Sequence, residues 1–67
     1  MIKIKINGKD KEFSTQQNLK EIVAQFCQDT RHVIAEVNGQ IVKSQTWDQT
    51  KIQSGDAIEL VSMVGGG

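Results

Sequence analysis

Two Asn-Gly pairs, Asn7-Gly8 and Asn38-Gly39, constrain this chain more than any other feature. Both central positions of the tightest hairpin turn need positive φ, and Asn-Gly adopts it at little steric cost. Each pair therefore predicts a strand on either side of it. Before the first, Ile2, Ile4 and Ile6 alternate with Lys3 and Lys5, the period-two pattern of a half-buried strand. Its return strand is predicted over Lys9 to Ser14, with Phe13 as the core contributor. Before the second pair, Val33-Ile34-Ala35-Glu36-Val37 reads as a strand, and Gln40-Ile41-Val42 as its short partner.

One helix lies between the hairpins. Asn18, followed three residues later by Glu21, fits a capping box, in which each side chain satisfies the other's backbone N–H. Leu19, Ile22, Val23, Phe26 and Cys27 then recur at i, i+3, i+4, i+7 and i+8, with Lys20, Glu21, Gln25 and Gln28 opposite. The spacing predicts a helix over 18–28. Cys27 belongs to the apolar stripe and is expected to act as a small buried hydrophobe rather than a nucleophile. His32, the sole histidine, has no metal-ligand spacing or thiol partner and reads as a surface or strand-edge residue. Beyond the second hairpin, Lys43 to Gln53 is irregular, with Trp47 expected to pin it to the domain rather than to stack on a ligand. Ser54-Gly55-Asp56 is a turn, and Ala57 to Ser62 is the last strand. With Ile58 and Leu60 facing inward, Glu59, Val61 and Met63 face outward.

The order β-β-α-β-β-β is neither a βαβ repeat nor all-β. A mixed sheet packed on one amphipathic helix buries the helix stripe and the three isoleucines together, with the first and last strands adjacent at its middle. The fold class is therefore α+β, a β-grasp (ubiquitin-like) domain over 1–62 with a flexible C-terminal Gly-Gly-Gly tail over 63–67. At 67 residues the chain is near the lower end of what one core holds together. Eight basic and eight acidic residues cancel, which argues against a nucleic-acid ligand and against an anionic membrane surface. A single cysteine forbids an internal disulfide and suits a reducing compartment. Lys3 and Lys5 interrupt any signal-peptide pattern, and no apolar run approaches the roughly 18 residues of a membrane helix. A cytoplasmic location is expected.

Catalytic constellations are missing. There is no Cys/His cluster for a metal and no Gly-rich phosphate loop, so no cofactor of its own is expected. The carboxylates are scattered over short strands and turns, in a domain with little interior for a pocket. The chain reads as a substrate or partner of other proteins, not as an enzyme. What remains is the terminal run Met63-Val64-Gly65-Gly66-Gly67. Extended, it reaches about 17 Å. Glycine has no Cβ, so Gly65 and Gly66 could thread a narrow channel and leave the Gly67 carbonyl carbon unhindered. Outward-facing Val61 and Met63 would form a small apolar docking patch beside it. The alternative is an inert, mobile terminus.

Over essentially its whole length the chain resembles the ThiS family, the small sulfur carriers of thiamine thiazole biosynthesis. The resemblance rests on the N-terminal hairpin, Asn38-Gly39-Gln40-Ile41-Val42, Trp47, Ser54-Gly55-Asp56-Ala57-Ile58-Glu59-Leu60 and the ending Val64-Gly65-Gly66-Gly67. It implies that a ThiF-type adenylyltransferase uses ATP to adenylate the Gly67 carboxylate. A persulfide donor such as a cysteine desulfurase then converts it to a thiocarboxylate, and a ThiG-type thiazole synthase accepts the sulfur. Gly66, Gly65, Val64, Met63 and Val61 would contact these partners. A terminal Gly-Gly alone is shared with the small subunit of molybdopterin synthase and with ubiquitin-like modifiers. Both stay open as alternatives, together with a plain β-grasp interaction module.

Overall fold

The computed structural model describes residues 1–62. The elements are β1 (Ile2–Ile6), β2 (Lys9–Phe13), β3 (Gln17–Asn18), α1 (Leu19–Phe26), β4 (Val33–Val37), β5 (Gln40–Val42), β6 (Lys51–Ile52) and β7 (Ala57–Ser62). Five strands form one sheet in the order β2-β1-β7-β4-β5, and β3 pairs with β6 in a second, two-stranded one. The first and last strands run parallel at the middle of the sheet, with Lys5 beside Ala57 and Ile6 beside Ile58. The other pairings are antiparallel. This is the β-grasp arrangement that the element order predicts.

Both Asn-Gly turns adopt the left-handed conformation that the pairs predict, with φ of 51° and 81° at Asn7 and Gly8 and of 52° and 85° at Asn38 and Gly39. Their side chains also do something sequence spacing does not show. The Asn7 carboxamide accepts a hydrogen bond from the Leu60 N–H at 2.8 Å and donates to the Leu60 carbonyl at 3.2 Å. On the opposite flank of β7, the Asn38 carboxamide accepts from the Ala57 N–H at 3.0 Å and donates to the Asp56 carboxylate, also at 3.0 Å. Each turn residue thus continues a strand's hydrogen bonding beyond the point where the chain leaves the sheet.

The capping box at Asn18 and Glu21 is formed, both hydrogen bonds measuring 2.8 Å. The helix nevertheless ends at Phe26, two residues earlier than predicted. Cys27 is extended, and its N–H closes the last turn on the Val23 carbonyl at 2.9 Å. The stripe runs out for a physical reason. Opposite Ile4 and Ile6 on the inner face, β2 supplies Lys11 and Lys9 rather than apolar residues. Phe26 is therefore 43% exposed, with the Lys11 ammonium 5.6 Å from its ring centre, a modest cation–π contact. Inward lysines on an edge strand also discourage pairing with another chain. Cys27 is half-buried at the margin of the core instead of within it.

Leu19, Ile22 and Val23 of α1 are fully buried against Ile4, Ile6, Ile58 and Leu60 from the central strands. Trp47 and Ile52 close the core from the connection after β5. That connection is more ordered than its sequence suggests, with a 3₁₀ stretch over Ser44–Gln49 followed by β6. Trp47 is its anchor, as predicted: it is 5% exposed, and its indole N–H donates to the Val42 carbonyl at 2.9 Å. The return strand of the first hairpin stops at Phe13, one residue short of the predicted Ser14. His32 is exposed, at the end of a 3₁₀ turn over Thr30–His32. In that turn the Arg31 side chain, and then its backbone N–H, hydrogen-bond Asp29 and lower its carboxyl pKa to about 2.

Two outcomes follow. Asn7→Gly keeps the positive φ but removes both bonds to Leu60, and should lower unfolding free energy in urea by about 1–3 kcal/mol; an unchanged midpoint and slope would show the carboxamide to be dispensable. Arg31→Gln should return the Asp29 carboxyl towards the ordinary carboxylate range in an NMR titration. Because a lowered native pKa stabilises only above the unfolded value and is lost as pH falls, any stability lost by the variant should be present at neutral pH and should vanish as pH falls through the carboxylate range towards 2. It should be small, since both side chains are exposed.

Candidate functional site

With Ile58 and Leu60 turned into the core, alternation puts Glu59 and Val61 on the sheet face away from α1, as predicted. Val61 is 49% exposed. It has company that the sequence reading overlooked: Ile34 lies opposite it across the β4–β7 pairing, and Ile41 of β5 lies on the same face, 68% exposed. The signal was present in Val33-Ile34-Ala35-Glu36-Val37. Once Ala35 is inward, Ile34 must be outward.

Between these aliphatic side chains sit two carboxylates. Glu36 pairs directly with Glu59 across β4 and β7, and with Ile41 across β4 and β5. The other half of the face is charge-balanced by register, with Lys3 opposite Glu12 and Lys5 opposite Asp10. The Lys5 ammonium lies 3.3 Å from the Asp10 carboxylate.

Of the residues singled out from sequence, Val61 is thus placed on an exposed apolar patch. Met63, Val64, Gly65, Gly66 and Gly67 lie outside the described residues. The last described position is Ser62, paired with Val33 on β4. Just before it, the Leu60 backbone is tied by Asn7, so β7 is held from both flanks where it approaches residue 63. A groove of about 400 Å³ borders this end of β7, with Lys9, Lys11, Phe26, Cys27 and Ser62 among its lining residues. Among the described residues, no group of three or more His, Cys, Asp or Glu side chains is placed to hold a metal ion.

The sequence model of the ThiS family matches residues 4–67. The chain belongs to the ThiS family. The crystal structure of a thiamine biosynthesis protein (ThiS) from Geobacter metallireducens superposes with a TM-score of 0.83 at 28% identity, covering 98% of this chain and 100% of that one. A solution structure of a thiamine biosynthesis protein from the same organism gives 0.80 at 28% identity, covering 98% of this chain and 88% of that one. Among curated proteins, a thiazole synthase from Paramagnetospirillum magneticum is 32% identical over 66 residues, which is 98% of this chain but only 20% of that protein. The ThiS-family chain therefore spans about a fifth of the synthase it matches. The uncharacterized protein ycf40 of Trieres chinensis is 31% identical over 62 residues, 92% of this chain and 85% of that protein. Among the described residues, no helix is long and apolar enough to cross a membrane.

The two sheet faces should respond differently to substitution. Ile58→Ala, at a side chain 1% exposed, should cost about 2–5 kcal/mol in denaturant unfolding. Ile41→Ser should stay within about 0.5 kcal/mol of the parent; a large loss there would mean that the outer face is covered within the monomer.

Proposed function

We propose that this ThiS-family chain is a sulfur carrier for assembly of the thiazole ring of thiamine, with Gly67 as the C-terminal residue on which the sulfur travels. What carries this reading is the family match, which runs through Gly65, Gly66 and Gly67 to the last residue. A carboxylate is a poor electrophile. A ThiF-type adenylyltransferase would let a Gly67 carboxylate oxygen attack the α-phosphorus of ATP, releasing pyrophosphate and leaving an acyl adenylate. The terminal sulfur of a persulfide, made by a cysteine desulfurase or another donor, would then attack the acyl carbon and expel AMP. A second thiol would cleave the resulting S–S bond, leaving the thiocarboxylate on Gly67.

The acceptor would be a ThiG-type thiazole synthase. The synthase of P. magneticum contains a region like this chain within a polypeptide about five times as long, which supports physical association between carrier and synthase. The chain would serve as a co-substrate of both partners, with ATP bound by the adenylyltransferase. Gly66 and Gly65 would be the part that threads the active sites, while Val64, Met63 and Val61 would contact the partner surface. A single thiol, Cys27, fits work in the reducing cytoplasm.

The test is intact mass after incubation with ATP, cysteine and an extract of the source cells. The expected result is a gain equal to sulfur replacing oxygen, mapped to the Gly67 carboxyl and absent after deletion of Gly67. No gain, in an extract shown to load a known carrier, would refute the carrier reading. Gly66→Phe should abolish loading with its thermal midpoint unchanged, and normal loading of that variant would remove the threading role.

A further inference from the structure

We propose that Asn38 is a site of spontaneous modification, converting through a succinimide to aspartate and isoaspartate, and that Asn7, in the same Asn-Gly sequence, is shielded from this reaction by its hold on Leu60. The inference stands apart from the sulfur-carrier reading, because it concerns only the two turn side chains.

The chemistry is open to any asparagine that precedes a glycine. With no Cβ in the way, the glycine nitrogen can reach the asparagine Cγ. At position 38, the Gly39 backbone nitrogen gives its proton to water and bonds to Cγ. The bond from Cγ to the carboxamide nitrogen breaks, and that nitrogen takes one proton back from water and leaves as ammonia. A water molecule then opens the five-membered imide at one of its two carbonyls. Opening at one gives aspartate; opening at the other reroutes the main chain through Cβ and Cγ as isoaspartate. The balance is one water consumed and one ammonia released.

Backbone conformation does not separate the two sites. φ is 51° at Asn7 and 52° at Asn38, the following glycines are both left-handed, and both asparagines are exposed. What differs is what each carboxamide holds, since Cγ reacts only after the carboxamide lets go and turns towards the next nitrogen. Asn7 bonds both the N–H and the carbonyl of Leu60, a residue 8% exposed on the strand between β1 and β4. Its release leaves two part-buried backbone groups unpaired, at the full desolvation cost of each. Asn38 bonds the Ala57 N–H and the Asp56 carboxylate in an exposed setting, where water replaces both. Its hairpin also lies at the sheet's edge, with the three-residue β5 paired to β4, and such margins open more readily than a sheet's centre.

The modification acts on the start of β7. Asn38 Nδ2 lies 3.0 Å from Asp56 Oδ1, so conversion replaces a hydrogen bond by a contact between like charges. The other Asp56 oxygen accepts from the Gln53 N–H at 2.8 Å and closes the turn that leads into the strand. Isoaspartate adds a main-chain carbon to a two-residue hairpin turn as well, against the register that pairs Val37 with Gln40.

The experiment follows the full-length chain at neutral pH, folded and in urea, by peptide mapping with electron-transfer fragmentation, which tells isoaspartate from aspartate. In the folded chain, position 38 should convert about tenfold faster than position 7. In urea the two should agree within about twofold, because the bonds that distinguish them are gone. Equal rates in the folded chain, a faster position 7, or no conversion at 38 while the urea sample reacts to completion would each overturn the proposal. Asn38→Asp, which mimics one product, should lower the thermal midpoint at neutral pH. In an Asp56→Asn background it should not, because a carboxamide at position 56 can donate to the new carboxylate. An unchanged midpoint in the first case, or an equal loss in both backgrounds, would overturn the effect on the Asp56 turn.

Discussion

The grip on β7 is the interaction on which the rest of the structure depends. β7 fills the middle of the sheet, contributes Ile58 and Leu60 to the core, and leads directly to residue 63. Its parallel pairing with β1 is short, two residue pairs long. Beyond those pairs, the Asn7 carboxamide takes over by bonding both the N–H and the carbonyl of Leu60. Asn38 does the corresponding work at the other end, on Ala57. The residue type that makes each tight turn possible therefore also fastens the central strand. A buried strand leaves few backbone groups unpaired, and here two side chains help to meet that requirement.

A rigid middle strand also explains how so small a domain can present a defined outer face. The inner side chains of β1 and β7 are locked by α1, Trp47 and Ile52, so alternation fixes Glu59 and Val61 outward. The pairing with β4 then sets Ile34 beside Val61 and Glu36 beside Glu59. What surrounds Val61 is decided by register rather than by proximity in sequence.

That distinction marks how much was legible beforehand. Local signals read well: both Asn-Gly turns, the Asn18–Glu21 capping box, the strands over 33–37 and 57–62, and Trp47 as an anchor. Each depends on residues within a few positions of one another. The β-grasp topology followed from element order and the need to bury one helix stripe. The misses were of two kinds. The β3–β6 pair is two residues long on each side, too short for a period-two pattern to register. The helix end and the exposure of Phe26 depend on which residues of β2 face inward, and so on a strand pairing rather than on the helix's own spacing. The outward exposure of Val61 was legible from strand alternation, while its neighbours Ile34 and Ile41 and the opposed glutamates needed the β4–β7 and β4–β5 registers.

The parallel contact of β1 with β7 also says something about how the molecule comes into being. Lys5 and Ala57 are neighbours in space but 57 − 5 = 52 positions apart along the chain, so the centre of the sheet closes the longest loop in the domain. Both hairpins and α1 can form from local contacts as they emerge from the ribosome. The middle of the sheet cannot, because β7 is the last of the described elements along the chain. Loop closure of this span belongs to the slower class of folding steps. The strand that fills the middle of the sheet is therefore also the one whose arrival completes the fold.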